Sequence, residues 1–203
     1  MRAFPSTQIH VATFLLGTAP ETEAYWDVMA DILSQYPALD EQSISGYAYI
    51  AHNIISPEMN ITSTADGFAG AFFLPTLHPS NTSASLEKVL RTLFADATAA
   101  YPGQFMSTVD VKTFPDFWAW YKDNNGPLDA GHNEVLGSWL IDGETLTGNR
   151  TALKEGYRAA TPSGGLTSVF LVAGKGTRDA KPRGGGNSVN PAWRKAYIHS
   201  GIC

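Results

Sequence analysis

Two strand-length apolar runs follow each other too closely for a crossover helix to lie between them. Ser43–Ile55 is rich in Tyr and Ile, Gly67–Leu77 is rich in Phe, and the polar stretch Asn60–Asp66 separates them. Parallel neighbours need a crossover of a dozen or more residues, commonly a helix, so this pair reads as a long antiparallel hairpin with Asn60–Asp66 as its turn. Side chains alternate across a strand. Tyr47, Tyr49 and Ala51 therefore share one face, and Ile44, Ala48 and Ile50 share the other.

The rest of the chain supplies strands and one-sided helices around that hairpin. Gln8–Leu16 alternates Ile9, Val11, Thr13 and Leu15 with His10, Ala12 and Phe14, a strand pattern. Thr18-Ala-Pro-Glu21 has capping-box spacing with Pro in the first turn. Behind it Tyr25, Val28, Met29, Ile32, Leu33 and Tyr36 form a single helical stripe that Pro37 ends. Leu86, Val89, Leu90, Leu93, Phe94 and Ala97 make a second stripe, closed by Pro102-Gly103. Gln104–Lys112, Val135–Ile141 and Leu166–Ala173 read as further strands. Phe114–Tyr121 reads as an aromatic helical turn, and Thr147–Ala160 as a third helix weakened by Gly156. The resulting order predicts an α+β fold: a mostly antiparallel sheet with helices packed on one face. With one apolar stripe per helix, the other sheet face must meet water or a partner. Tyr47, Tyr49 and Trp139 are expected on that face.

Composition narrows the function classes. A chain of 203 residues, 43% hydrophobic and 16% charged, suits one domain spanning 1–203 with a sizeable core. The net charge of −5 and the absence of a basic stripe argue against nucleic acid. No run approaches the ~18 apolar residues of a membrane span. The one cysteine, Cys203, excludes an internal disulfide and a cysteine-based metal site. The histidines (His10, His52, His78, His132 and His199) are dispersed without helical pairing, so no metal is expected. Sequons at Asn60, Asn81 and Asn149 fit a glycosylated protein of the secretory pathway or cell exterior.

No nucleophile elbow or close carboxylate pair is present, and neither Gly174-Lys-Gly-Thr nor Gly184-Gly-Gly completes a phosphate-binding pattern. The aromatic cluster Phe114–Tyr121 reads as a lid over a ligand, a core plug or a partner surface. Tyr47 and Tyr49 read either as substrate-holding phenols or as cross-strand pairs. The stretch Gly184–His199 passes from a glycine-rich loop into Pro191, Trp193, Arg194 and Tyr197. It reads either as a lining or docking element, or as a surface turn whose Trp fills a gap in the core.

At Asn187-Ser-Val-Asn-Pro-Ala-Trp-Arg-Lys-Ala-Tyr-Ile-His199 the chain resembles the Asn-Pro-Ala-Trp-Arg region of the berberine bridge enzyme-like, FAD-linked oxidoreductases, notably fungal ones. The motif positions are Asn187, Asn190, Trp193 and Arg194. The order of elements agrees, and Leu136-Gly-Ser-Trp-Leu-Ile141 looks like the family's Ser-Arg-Leu-Ile strand, with Trp139 where Arg is expected. The likeness covers nearly the whole chain but only about the substrate-domain half of a family member. It implies a sheet face that covers the isoalloxazine ring of an FAD held elsewhere, and oxidation by hydride transfer to flavin N5.

The resemblance further implies a substrate-binding portion serving fungal secondary metabolism, with Tyr47, Tyr49, Trp139 and Asn187 facing a small-molecule substrate. The family's FAD-binding half and its C-terminal tail have no counterpart in the sequence. FAD is therefore the expected cofactor of the architecture but is not expected to be bound by this chain alone. No catalytic residue carries over, and a separate FAD-binding domain or chain is the implied partner. Two alternatives remain: a cofactor-free module that binds a small molecule or a partner, and a non-functional truncated remnant.

Overall fold

The computed structural model describes residues 7–56, 61–124, 137–181, 184 and 189–202. Its elements are β1 (Ile9–Thr18), α1 (Glu23–Ser34), α2 (Tyr36–Glu41), β2 (Ser45–Ser56), β3 (Ile61–Pro75), α3 (Ser83–Thr98), β4 (Phe105–Phe114), α4 (Phe117–Asn124), β5 (Gly137–Asp142), α5 (Gly143–Gly148), α6 (Arg150–Ala160), β6 (Gly165–Leu171), α7 (Lys175–Arg178), a 3-10 turn (Pro191–Arg194) and β7 (Ala196–Ile202). The strands form one 7-stranded sheet in the order β4-β1-β3-β2-β6-β7-β5. Each pairing is antiparallel. The fold is α+β.

One face of the sheet is clad by helices. Ala12, Phe14, Leu16, Ala48, Ile50, Phe68, Phe72, Val169, Leu171 and Ile198 pack there against the stripes of α1, α3 and α6. The Phe14 ring lies 4.9 Å from Phe72 and 5.5 Å from Phe94, which ties β1, β3 and α3 together. Two buried phenols bind the helical layer to the sheet. Tyr25 donates to the Ala51 and Gly67 carbonyls at 2.9 and 2.8 Å, and Tyr36 donates to the Val169 carbonyl at 3.2 Å. Burial pushes both phenols well above their ordinary pKa, so they remain donors. Gly46 lets β2 pass close to β3: its φ is 154°, and a Cβ there would lie 2.2 Å from the Ala71 carbonyl oxygen.

The structure corrects several expectations. Within Asn60–Asp66, residues from Ile61 onward belong to strand β3 rather than to a turn. The β-branched residues Ile61, Thr62 and Thr64 suit a strand, and Ile61 and Ala65 pair with Ser56 and Ile54. The third helix is two helices, because Asn149 ends α5 and caps α6, its side-chain oxygen accepting from the Ala152 N–H at 2.9 Å. Ala196–Ile202 is a full strand wedged between β6 and β5. Finally, α4 crosses to the otherwise uncovered face, where Trp120 packs on Ile9, Val11 and Phe73. Among the described residues, the uncovered face is thus bare only beyond that corner.

Candidate functional site

The uncovered face carries a band of aromatic rings running across the strands. Trp120 of α4 meets Phe73 of β3 at 4.6 Å, and Phe73 meets Tyr47 of β2 at 6.0 Å. Tyr47 and Tyr49 both meet Phe170 of β6, at 5.1 and 5.3 Å, edge to face. Phe170 is the register partner of His199 on β7, and the His199 ring lies 5.4 Å from Trp193 on the 3-10 turn. The strand register places these rings on one side, since Tyr47 pairs with Ala71 and Tyr49 with Ser168. Tyr47 and Tyr49 are 39% and 42% exposed, while their neighbours Ala48 and Ile50 are fully buried under the helices. The band is therefore a flat, partly wet aromatic wall with phenols and one imidazole, suited to stacking a planar molecule and hydrogen-bonding its edge.

The expected site residues do not all converge. Tyr47 and Tyr49 lie together as expected. Trp139 does not join them: it pairs with Ser200, whose neighbour His199 points to the band, so the pleat sends Trp139 to the helix-covered side. Asn187 lies outside the described residues, as does the sequon residue Asn60. Asn190 caps the 3-10 turn by accepting from the Ala192 N–H at 3.0 Å, and this seats half-buried Trp193 beside His199. Arg194 is half-buried at the end of that turn. Asn81 donates from its amide to the Pro75 carbonyl at 2.9 Å. Asn149 is exposed at the start of α6. Phe73, Phe170 and His199 were missed. Their alternation was readable, but which strands lie side by side was not.

Other titratable groups serve the scaffold. Buried His10 donates through Nε2 to the Asn81 carbonyl at 3.2 Å and accepts at Nδ1 from the Thr113 hydroxyl at 2.8 Å. Asp66, 1% exposed, accepts from His52 Nδ1 at 2.9 Å and from the Asn53 N–H at 2.7 Å. Asn53 has φ 54° at an irregularity in the β2–β3 register, so Asp66 secures a bulge. Three helix N-termini are occupied by the chain's own side chains. Thr82 caps α3, Asp142 caps α5 and Asn149 caps α6, so these three ends do not offer a free cluster of amides to a phosphate. The first turn of α1 has no side-chain cap and carries Glu23, whose carboxylate pairs with Arg158 at 3.0 Å. Among the described residues, no group of three His, Cys, Asp or Glu could hold a metal, and no helix is long and apolar enough to cross a membrane.

No family model matches the chain. Curated relatives do. One is the FAD-linked oxidoreductase hmp9 of Hypomyces subiculosus, 23% identical over 96% of this chain and 31% of its own length. Another is an uncharacterized FAD-linked oxidoreductase of Arthroderma benhamiae, 28% identical over 87% of this chain and 29% of its own length. The chain is similar to FAD-linked oxidoreductases. It spans about a third of the length of these relatives. Its fold is shared with VAO-type flavoproteins of Myceliophthora thermophila C1. MtVAO713 superposes with a TM-score of 0.79 at 19% identity, covering 100% of this chain and 35% of that one. MtVAO615 superposes with a TM-score of 0.63 at 16% identity, covering 96% of this chain and 33% of that one.

Proposed function

We propose that this chain is the substrate-binding portion of a berberine bridge enzyme-like, FAD-linked oxidoreductase. The observation that carries the reading is the aromatic band on the open face of a sheet shared with VAO-type flavoproteins. The described residues suit one part of FAD and not another. The band fits a planar ring system, whereas the N-termini of α3, α5 and α6 are filled by their own caps and give no cradle for the pyrophosphate. In this reading the nucleotide is held by a separate FAD-binding domain or chain, and the band closes over the ring and the substrate.

The flavin, when bound, supplies the hydride acceptor for a substrate carbon. The chain's own residues hold the substrate. Tyr47, Tyr49 and Phe170 stack and orient it, the two phenols bind its polar edge, and His199 takes a proton from a substrate hydroxyl. Trp193 packs against the His199 ring and positions it. A role in fungal secondary metabolism is carried by the Asn-Pro-Ala-Trp-Arg resemblance alone, and both curated relatives come from fungi. The exposed sequon at Asn149 supports glycosylation in the secretory pathway.

Co-expression with the remaining two thirds of the Hypomyces relative tests the reading. The mixed complex should purify with stoichiometric flavin absorbance, and Tyr47→Ala with Phe170→Ala should remove oxidase activity. The chain alone, refolded with FAD, should stay colourless. A stoichiometric yellow protein from the chain alone would refute the division of labour. A second reading, a cofactor-free binder of planar metabolites, is favoured by the capped helix ends. It predicts saturable binding at the band without any flavin-bearing partner.

A further inference from the structure

One of the three sequons opens onto an exposed tryptophan. Asn149-Arg150-Thr151 begins α6, and Asn149 lines the same groove as Trp139 of β5, on the side of the sheet opposite the aromatic band. Asn149 is exposed, and its side-chain oxygen accepts from the Ala152 N–H at 2.9 Å. An N-linked sugar is attached through the side-chain nitrogen, so the oxygen keeps its place as the cap of α6. Asn81 differs. It is half-buried, its side-chain nitrogen donates to the Pro75 carbonyl at 2.9 Å, and its own carbonyl accepts from His10 at 3.2 Å. A sugar on that nitrogen would compete with the Pro75 bond.

The surface beside Asn149 has room for a chain of sugars. From Asn149 the groove follows Ala152, Gly156 and Ala160 along α6, with Trp139 and Ile141 of β5 facing them. A Cβ at Gly156 would meet nothing within 4 Å, so no packing demands a glycine there. The three small residues keep the helix surface low across the width of the groove. Trp139 is 57% exposed, a large flat surface on which the C–H face of a pyranose packs. At the Asn149 end lie Glu144 and Thr145, both exposed, whose oxygens accept from sugar hydroxyls.

We propose that Asn149 carries an N-linked glycan whose innermost N-acetylglucosamine units lie along α6 in this groove, one of them packed on the Trp139 indole. In the transfer the Asn149 nitrogen bonds the anomeric carbon of a lipid-diphosphate-linked oligosaccharide and loses one proton, and the lipid diphosphate leaves. The proposal rests on the secretory-pathway reading of the sequons and does not depend on any flavin. It gives Trp139, which stands apart from the band, a covering that the chain itself brings.

The test is the full chain secreted from a fungal host behind a cleavable leader, beside Thr151→Ala, which removes the sequon and keeps the Asn149 cap. Glycopeptide mass spectrometry reads occupancy, and hydroxyl-radical footprinting reads Trp139. Asn149 should be occupied, and Trp139 modification should be about threefold or more lower than in Thr151→Ala, as for a half-exposed ring that becomes covered. Tyr47 and Tyr49 should react equally in both. Thr151→Ser, which restores a sequon, should restore occupancy and protection together. Thermal melting confirms that each variant is folded. An unoccupied Asn149 in the secreted chain would overturn the proposal together with the secretory reading. An occupied Asn149 with Trp139 as reactive as in Thr151→Ala would overturn the proposal and leave the secretory reading standing.

Discussion

Consecutive residues of β2 have opposite fates, and the contrast separates what holds the molecule together from what it is for. Ala48 and Ile50 are fully buried among Phe68, Phe72 and the helices. Tyr47 and Tyr49, one peptide away, stand about two-fifths exposed on the other side. The first face is apolar and dense, and the Tyr25 phenol within it bridges two carbonyls. The second face spends large aromatic side chains where water reaches them. A stable fold does not need that arrangement, whereas the planar ligand of the proposed function would use it.

Substitutions should divide along this line. Phe72→Ala opens the dense face where Phe14 and Tyr36 converge and should cost about 3–5 kcal/mol, read from urea unfolding. A loss below about 1 kcal/mol would show the helical layer to be looser than described. Tyr25→Phe leaves the Ala51 and Gly67 carbonyls without their phenol and should cost about 1–3 kcal/mol by the same measurement.

Asp142→Ala removes the cap of α5 and should cost about 1 kcal/mol. Because the Asp142 pKa is lowered in the folded chain, chiefly by hydrogen bonds from Thr145, its contribution is present above the unfolded value of about 4 and fades as pH falls through the folded value. The variant should therefore lose less stability than the parent on acidification, as melting curves across that range would register. On the open face, Tyr49→Ala should shift stability by only a few tenths of a kcal/mol, as for other surface changes, yet reduce turnover in the flavin-bearing complex. A large stability loss there would erase the contrast between the faces.

Much of the dense face was legible in the sequence. The stripes of α1 and α3 and the alternation of β1 and β2 are period-3.6 and period-2 patterns that local steric rules impose. The hairpin pairing followed from the shortness of its connection. What failed was information that lives between distant segments. Trp139 was expected beside Tyr47, but its face depends on which residue of β7 it opposes, and a shift of one residue reverses it. The strand β7 was hidden because Ala196–Ile202 is short and mixed, and only its neighbours β5 and β6 make it a strand. The bulge at Asn53 and its buried Asp66 left no local signature either. The helix break at Asn149 was missed although its signal was local, a cap-forming residue directly after Gly148.

The central claim is that the aromatic band, not the helical side, meets the flavin-bearing partner. Hydroxyl-radical footprinting of the chain, free and co-purified with the remaining portion of the Hypomyces relative, tests it directly. Tyr47, Tyr49, Phe170 and His199 should become protected in the complex while modification of Trp139 stays unchanged. Protection of Trp139 with the tyrosines left reactive would contradict the account.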